Sequence, residues 1–232
     1  MSAAVTSFRI HATDEQLADL KRRLLATRWP DKEPVADWSQ GMPLAYTQEL
    51  CDYWAHGYDW RAREARLNRF DQFQSEVDGV SIHFFHVRSR HDDALPLVMT
   101  HGWPGSIAEF HKVIEPLTDP TAHGGQAADA FHLVCPALPG YGFSGKPAEA
   151  GWNVERIARA WGVLMRRLGY ARYVAQGGDW GSMVTTAIGL QDREGCAGIH
   201  LTMPIVAPDP ATMADLTPAE KVALAGMKRY RA

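Results

Sequence analysis

The segment Gln176 to Ser182 (QGGDWGS) has the composition of a turn that presents a nucleophile. An apolar, strand-like run precedes it, and an apolar, helix-like run at 183–190 follows. A nucleophile elbow occurs in this context, where small residues flank the reactive side chain because the turn is strained. The pattern is G-x-D-x-G, with Asp179 at its centre. It predicts an aspartate nucleophile, although a glycine-rich turn in which the aspartate caps a helix would contain the same residues.

A second motif, His101-Gly102-Trp103-Pro104-Gly105, follows the apolar run 95–100. Folds with a nucleophile elbow place one oxyanion donor after such a strand, and the other is the N–H of the residue after the nucleophile. The N–H groups of Trp103 and Trp180 are therefore the predicted oxyanion hole. We expect five residues to support it: His101, Gly102, Pro104, Gly178 and Gly181. Alone, the second motif could be a turn with a structural histidine, but two such motifs in this order favour an active site.

The chemistry explains why an aspartate would occupy this position. Attack of a serine on an alkyl carbon would leave an ether that water cannot cleave, whereas attack of a carboxylate leaves an ester that water can. An aspartate has a reference pKa of about 3.9, so it is anionic at neutral pH and the first step needs no general base. Water would then attack the carbonyl carbon of Asp179 itself, and the oxyanion hole would serve this second step.

The elements that must position these motifs can be read from the hydrophobic pattern. Thr13 and Gln16 form a capping box before an amphipathic helix that stops near Trp29-Pro30, and a second helix is predicted at 44–58. Asp78-Gly79 predicts a hairpin, and a crossover helix runs from near Asn153 to Gly169. The predicted strands are 73–77, 80–87, 95–100, 131–136, 172–176 and 199–203. Together they indicate an α/β fold with a mostly parallel sheet and helices on both faces.

Composition excludes several other classes of protein. The chain has 232 residues, 46% of them hydrophobic, and a net charge of -3, which favours one globular domain and gives no basic surface for nucleic acid. Its three cysteines, Cys51, Cys135 and Cys196, lack the spacing of a disulfide framework or a zinc site, and we interpret them as buried free thiols. The histidines show no metal-binding pattern, so no metal or organic cofactor is expected. No apolar run is long enough to span a membrane, and we expect a cytoplasmic protein.

Over essentially its whole length, the chain resembles the microsomal-type epoxide hydrolases, including the juvenile hormone epoxide hydrolases. Beyond the two motifs above, the resemblance rests on LKRRL at 20–24, TRWP at 27–30, YDWR at 58–61, LN at 67–68, DGVSIHF at 78–84 and LPGYGFS at 138–144. It implies an α/β-hydrolase core, Asp179 as nucleophile, Trp103 and Trp180 as oxyanion donors, and an N-terminal arm that wraps the core and a cap. The implied substrate is a hydrophobic small-molecule epoxide.

The chain departs from the family pattern after the elbow. In this fold an acid and then a histidine follow the nucleophile, and the family's cap supplies two tyrosines. We expect these groups, the C-terminal part of the core and most of the cap to lie beyond residue 232. His200 is the only later histidine, and its strand pattern favours a core residue over a base. Tyr230 falls where the cap would start, and we assign it no role as a proton donor. The predicted division is 1–73 for the arm, 74–216 for the core and 217–232 for the start of the cap.

Two alternatives remain open. A haloalkane dehalogenase has the same fold and also places a tryptophan after an aspartate nucleophile, although the long arm and Trp103 argue against it. The chain could instead be a non-catalytic fragment or split subunit that binds a hydrophobic ligand, or that pairs with a second polypeptide carrying the C-terminal part or with another copy of itself.

Overall fold

The computed structural model describes residues 4–206 and 208–231, with only the backbone of Tyr230 and Arg231. Seven strands form one sheet in the order β1-β2-β3-β5-β4-β6-β7. The strands are β1 Val5–Phe8, β2 Gln72–Val77, β3 Val80–Val87, β4 Leu95–Thr100, β5 Phe131–Pro136, β6 Tyr173–Gly177 and β7 Cys196–Leu201. β1, β2 and β3 pair with one another antiparallel, and β3 also pairs antiparallel with β5. β5, β4, β6 and β7 are parallel, so the predicted mostly parallel sheet is confirmed.

The β2–β3 hairpin turns at Asp78-Gly79, as predicted. Both residues have positive φ, 51° at Asp78 and 78° at Gly79, which is the backbone of a tight two-residue turn that matches strand twist. Val77 and Val80 pair directly across it. β1 was not predicted, because its sequence VTSF is short and half polar and it is specified mainly by pairing with β2.

In residues 4–206 and 208–231, seven α-helices accompany the sheet. They are α1 Asp14–Leu25, α2 Leu44–His56, α3 Trp60–Leu67, α4 Ile114–Thr118, α5 Val154–Arg167, α6 Trp180–Gln191 and α7 Pro218–Arg231. The capping box of Thr13 and Gln16 is present at the start of α1. The single helix predicted at 44–58 ends at His56, and a new helix begins after Asp59, whose side chain accepts a hydrogen bond from Ala62 N–H. This aspartate cap explains why two short helices form.

The hydrophobic core lies on both faces of the sheet. On one face, Trp161 and Leu164 of α5 and Ile188 of α6 pack against the strands. On the other face, a 3-10 helix (Ile107–Lys112) and α4 contribute Ile107, Phe110 and Ile114. Helices therefore lie on both faces, as predicted, and they pack against the parallel strands. The two sequence motifs lie at the ends of two of these strands.

The second face is open where it reaches β6 and β7. A groove of about 650 Å³ runs there, and its lining includes Leu97, Met99, Gln176 and His200. The prediction that His200 belongs to the core is wrong: it does lie in a strand, but it is exposed on this open face. The predicted burial of the cysteines holds for Cys135 alone, since Cys51 and Cys196 are partly exposed, although all three are free thiols.

In residues 4–206 and 208–231, no helix has the length and apolar character needed to cross a membrane.

Candidate active site

The two predicted motifs meet at the carboxyl ends of neighbouring strands. β4 and β6 are adjacent and parallel, and Thr100 pairs with Gly177 in register. The chain leaves β4 through His101 and leaves β6 through Gly178, so the two loops start side by side. Carboxyl ends of parallel strands at a change of strand order are the usual place for an active site in open α/β sheets.

Asp179 lies in a strained turn between β6 and α6. Its φ of 50° and ψ of -126° are rare for a residue with a side chain. The turn requires very close backbone approach: a Cβ on Gly177 would lie 2.0 Å from the Gly181 carbonyl oxygen, and a Cβ on Gly181 would lie 2.0 Å from the Thr100 carbonyl oxygen. Both positions therefore need glycine, and the strain is held by the packing of α6 against β4. This is the geometry of a nucleophile elbow.

A backbone donor binds the Asp179 carboxylate. The N–H of Trp103 donates a hydrogen bond of 2.7 Å to its Oδ1. The pKa of Asp179 is lowered, mainly by this hydrogen bond and next by the neighbouring N–H of Trp180. The structure thus brings together Asp179 and the two N–H groups that the sequence predicted as an oxyanion hole. The Trp103–Pro104 peptide bond in this loop is cis, and both indoles are exposed.

Gly102 allows the loop to approach the carboxylate. A Cβ at Gly102 would lie 2.4 Å from Cβ of Asp179, so any larger residue would push the loop and the carboxylate apart. Gly178 is less constrained, because its Cβ would meet only the Thr202 hydroxyl, at 2.7 Å. Gly177, which sequence reasoning did not single out as a site residue, is more tightly enclosed than Gly178.

The fully buried side chain of His101 supports the loop that carries Trp103. Its Nε2 accepts a hydrogen bond of 3.0 Å from Leu138 N–H, so Nδ1 carries the proton that it donates to the Gly102 carbonyl at 2.9 Å. Burial lowers the pKa of the ring, which keeps it neutral. His101 therefore links two loops and is not placed to act as a base.

A small apolar cavity opens beside the carboxylate. It has a volume of about 210 Å³ and is lined by Asp179, Trp180, Met183, Met203 and Ile205. Sequence reasoning missed the two methionines and Ile205. For Met203 and Ile205 a weak sequence signal exists, because apolar residues directly after a parallel strand lie at the carboxyl edge of the sheet. The cavity offers a non-polar surface next to an anionic oxygen.

The described part of the chain places no second catalytic group on Asp179. Neither an imidazole nor a carboxylate there hydrogen bonds to its side chain, and His200 lines the open groove of the sheet face instead. The side chain of Tyr230 lies outside the described residues. Among the residues that the structure describes, no group of three or more histidine, cysteine or acidic side chains could hold a metal ion.

Comparison with protein families agrees with this geometry. A model of the alpha/beta hydrolase fold matches residues 96–231, more than half of the chain and the whole of the site. The chain belongs to the alpha/beta hydrolase fold family. A second model, described as the epoxide hydrolase N terminus, matches residues 5–110, which include the arm and the Trp103 loop.

Individual proteins similar to this alpha/beta hydrolase carry epoxide hydrolase names. One from Stigmatella aurantiaca, provisionally named an epoxide hydrolase, is 58% identical over 97% of this chain and 51% of its own length. Epoxide hydrolase 1 of Oryctolagus cuniculus is 35% identical over 88% of this chain and 46% of its own. The solved structure of Aspergillus niger epoxide hydrolase has a TM-score of 0.84 at 33% identity, covering 100% of this chain and 61% of that one. The chain thus spans about half the length of the curated relatives that it matches.

Proposed function

We propose that this chain opens epoxides by forming an ester on Asp179. The observation that carries the proposal is the carboxylate in the strained elbow, with Oδ1 bound 2.7 Å from the Trp103 N–H. Because Oδ1 is bound, Oδ2 is the oxygen left to attack. The lowered pKa of Asp179 keeps it anionic at neutral pH, so the nucleophile needs no activation.

In the first step, Oδ2 attacks one carbon of the epoxide ring. A new bond forms between Oδ2 and that carbon while the bond from the carbon to the ring oxygen breaks. The ring oxygen leaves as an alkoxide and takes a proton from solvent water, which leaves hydroxide and yields a hydroxyalkyl ester of Asp179. Negative charge therefore moves from Asp179 to the substrate oxygen.

In the second step, water attacks Cγ of Asp179. The negative charge returns to Oδ1, which already accepts the Trp103 N–H and lies at the start of α6, where the N–H of Trp180 would be the second donor. Pre-organised donors of this kind are worth about two to three orders of magnitude in rate. The tetrahedral intermediate then expels the alcohol oxygen, which gives the vicinal diol and restores the carboxylate. In alpha/beta hydrolases the base for this step is a histidine that follows the nucleophile in the chain.

Formation of the ester therefore rests on residues that the structure describes. Hydrolysis of the ester also needs a base, and the described residues place none beside Asp179. We propose that the base, its acid partner and further cap residues come from a second polypeptide or from additional chain. The named relatives act on epoxides according to their names. The apolar cavity of Met183, Met203 and Ile205 favours a hydrophobic small-molecule epoxide.

One observation supports a haloalkane dehalogenase as the second candidate. The Trp180 indole is exposed beside Asp179, where it could steady a departing halide. The match of residues 5–110 to the epoxide hydrolase N terminus favours the first candidate.

Intact-mass measurement separates the two candidates. The chain is incubated with a panel of epoxides and, separately, with haloalkanes of matched carbon skeleton, while released halide is measured. We expect an adduct with the mass of the whole epoxide and no halide release. Halide release without any epoxide adduct would favour the dehalogenase.

A further inference from the structure

The turn that carries Trp103 separates two carboxyl groups. The N–H of Gly105 donates to the Gly102 carbonyl at 3.0 Å, which closes Gly102 to Gly105 into a tight turn. At one end, Gly102 touches the Asp179 side chain so closely that a Cβ would lie 2.4 Å from Asp179 Cβ. At the other end, a Cβ on Gly105 would lie 2.5 Å from Oε2 of Glu109. The side chain of an acid therefore lies against each of the two glycines, Asp179 against Gly102 and Glu109 against Gly105.

Glu109 has no charge partner in the described part of the chain. It lies on the 3-10 helix Ile107–Lys112, where its N–H donates to the Ser106 carbonyl. Its carboxyl forms no ion pair or hydrogen bond there. Glu109 is exposed to solvent. Partial desolvation of its carboxyl raises its pKa, and the charge of Asp179 raises it further.

The other titratable groups around Glu109 do not neutralise it. Burial, and next the charge of Glu109, raise the pKa of the Cys135 thiol on β5, so this thiol is neutral. His101, at the end of β4, is neutral and bound to Gly102 and Leu138. His111 and Lys112 follow on the same 3-10 helix. Asp179 is the group whose charge shifts the pKa of Glu109.

We infer that Glu109 is a positioning residue whose protonation sets the balance between the two steps on Asp179. The inference rests on the proposed ester mechanism. When Glu109 is anionic, it repels the charge on Asp179 and favours ester formation, in which that charge leaves for the substrate oxygen. The same repulsion opposes ester hydrolysis, in which the charge returns to Oδ1. A neutral Glu109 has the reverse effect and stabilises the oxyanion relative to the ester.

Glu109→Gln keeps the shape of the side chain and removes its titration. Its matched control is Glu115→Gln, on α4, which removes an exposed carboxylate paired with Arg69. Glu109→Asp is a second variant, which keeps the acid but withdraws it from the turn. Thermal melts of all three establish that they are folded.

The first measurement needs no activity: the chain is labelled with ¹³C at aspartate carboxyls, and the Asp179 resonance is assigned with Asp179→Asn. We expect the wild-type Asp179 carboxyl to report a second, smaller inflection at the pH where Glu109 ionises. This inflection should be absent in Glu109→Gln, weakened in Glu109→Asp and unchanged in Glu115→Gln. An identical Asp179 titration in the wild type and Glu109→Gln would overturn the inference, whatever the activity.

The second measurement is the rate of Asp179 alkylation by an epoxide against pH. The ratio of wild-type to Glu109→Gln rates should be near one at acid pH and rise to about two- to fivefold at alkaline pH, as expected for one partly exposed charge. A flat ratio would contradict the inference. Absence of alkylation in every protein would overturn the proposed function, while the titration would still decide whether Glu109 acts on Asp179.

Discussion

The backbone N–H of Trp103 donates a 2.7 Å hydrogen bond to Oδ1 of Asp179, which lies 76 residues later in the chain. The contact exists because β4 and β6 are adjacent and parallel, so their following loops start together. It lowers the pKa of the carboxylate and occupies the oxygen that would become the oxyanion. In the proposed mechanism, this one donor would prepare the nucleophile for the first step and stabilise charge in the second.

Trp103→Phe tests whether the backbone or the indole matters at this position. The indole is exposed, and the proposed donor is the N–H that phenylalanine retains. We expect the rate at which the Asp179 ester is hydrolysed to stay within about threefold of the wild type, because loss of an oxyanion donor would cost that step roughly a hundredfold or more. Trp38→Phe, at an exposed indole in the arm, is the control. A hundredfold loss confined to Trp103→Phe would mean that the indole itself acts.

Gly102→Ala tests the close approach of the loop to the carboxylate. The added Cβ would lie 2.4 Å from Cβ of Asp179, so the loop must move and the hydrogen bond from Trp103 must lengthen. We expect stability to fall by roughly 1–3 kcal/mol, with a loss of alkylation of about tenfold or more because the displaced carboxylate is no longer aligned for attack. In Gly226→Ala, at a glycine inside α7 with open space around it, alkylation should not change and stability should rise by about 0.5–1 kcal/mol, because alanine favours a helix. Normal alkylation in Gly102→Ala would argue against this account of the loop.

Much of the frame that places these residues could be predicted from sequence. β4 and β5 begin and end where their apolar runs do, because central parallel strands are buried on both faces. The hairpin at Asp78-Gly79 was predictable, since few dipeptides adopt two positive φ angles. The two motifs could be placed side by side because the chain order of their strands was clear.

Ile205→Asp tests whether the apolar cavity selects the substrate. Ile205, Met203 and Met183 line the space beside Asp179, and a carboxylate there would require desolvation next to an apolar substituent. We expect alkylation by an aryl-substituted epoxide to fall about tenfold relative to alkylation by propylene oxide. Val222→Asp, at an exposed site on α7, should leave the ratio unchanged. If both epoxides slow equally in Ile205→Asp, the cavity does not contribute to selectivity.

The burial of His83 predicts how the stability of the folded chain depends on pH. It is fully buried, its Nε2 donates to Gln72 Oε1 at 2.9 Å, and burial lowers its pKa to about 4. In the unfolded chain a histidine titrates near 6.5, so between about pH 6.5 and 4 the unfolded state binds more protons. Stability should therefore fall with falling pH, by about 2 kcal/mol from pH 7 to 5 for this residue.

Urea unfolding at the two pH values measures the effect. His83→Gln should lose about 2 kcal/mol less than the wild type between pH 7 and 5, even if it is less stable at both. His123→Gln, at an exposed histidine, should behave as the wild type does. An equal loss in all three proteins would show that His83 is not protonated on unfolding.

Other features could not be predicted because they depend on tertiary contacts. The four residues of β1 carry little strand signal and are ordered by pairing with β2. The break between α2 and α3 depends on the cap at Asp59. His200 had the pattern of a core strand, but whether such a strand is covered depends on what packs against it, and this part of the sheet face is open. The relation of Glu109 to Asp179 exists only once the turn folds.

The most direct test of ester formation on Asp179 uses heavy-oxygen water. The chain is incubated with an excess of an apolar epoxide, and its intact mass and the mass of the peptide that contains Gly177 to Ser182 are measured, with Asp179→Ala as the control. The account predicts that this peptide gains the mass of the whole epoxide, or heavy oxygen in its carboxylate wherever the ester has been hydrolysed, and that Asp179→Ala gains neither. An elbow peptide that stays unmodified and light while the diol forms with solvent oxygen would contradict covalent attack by Asp179.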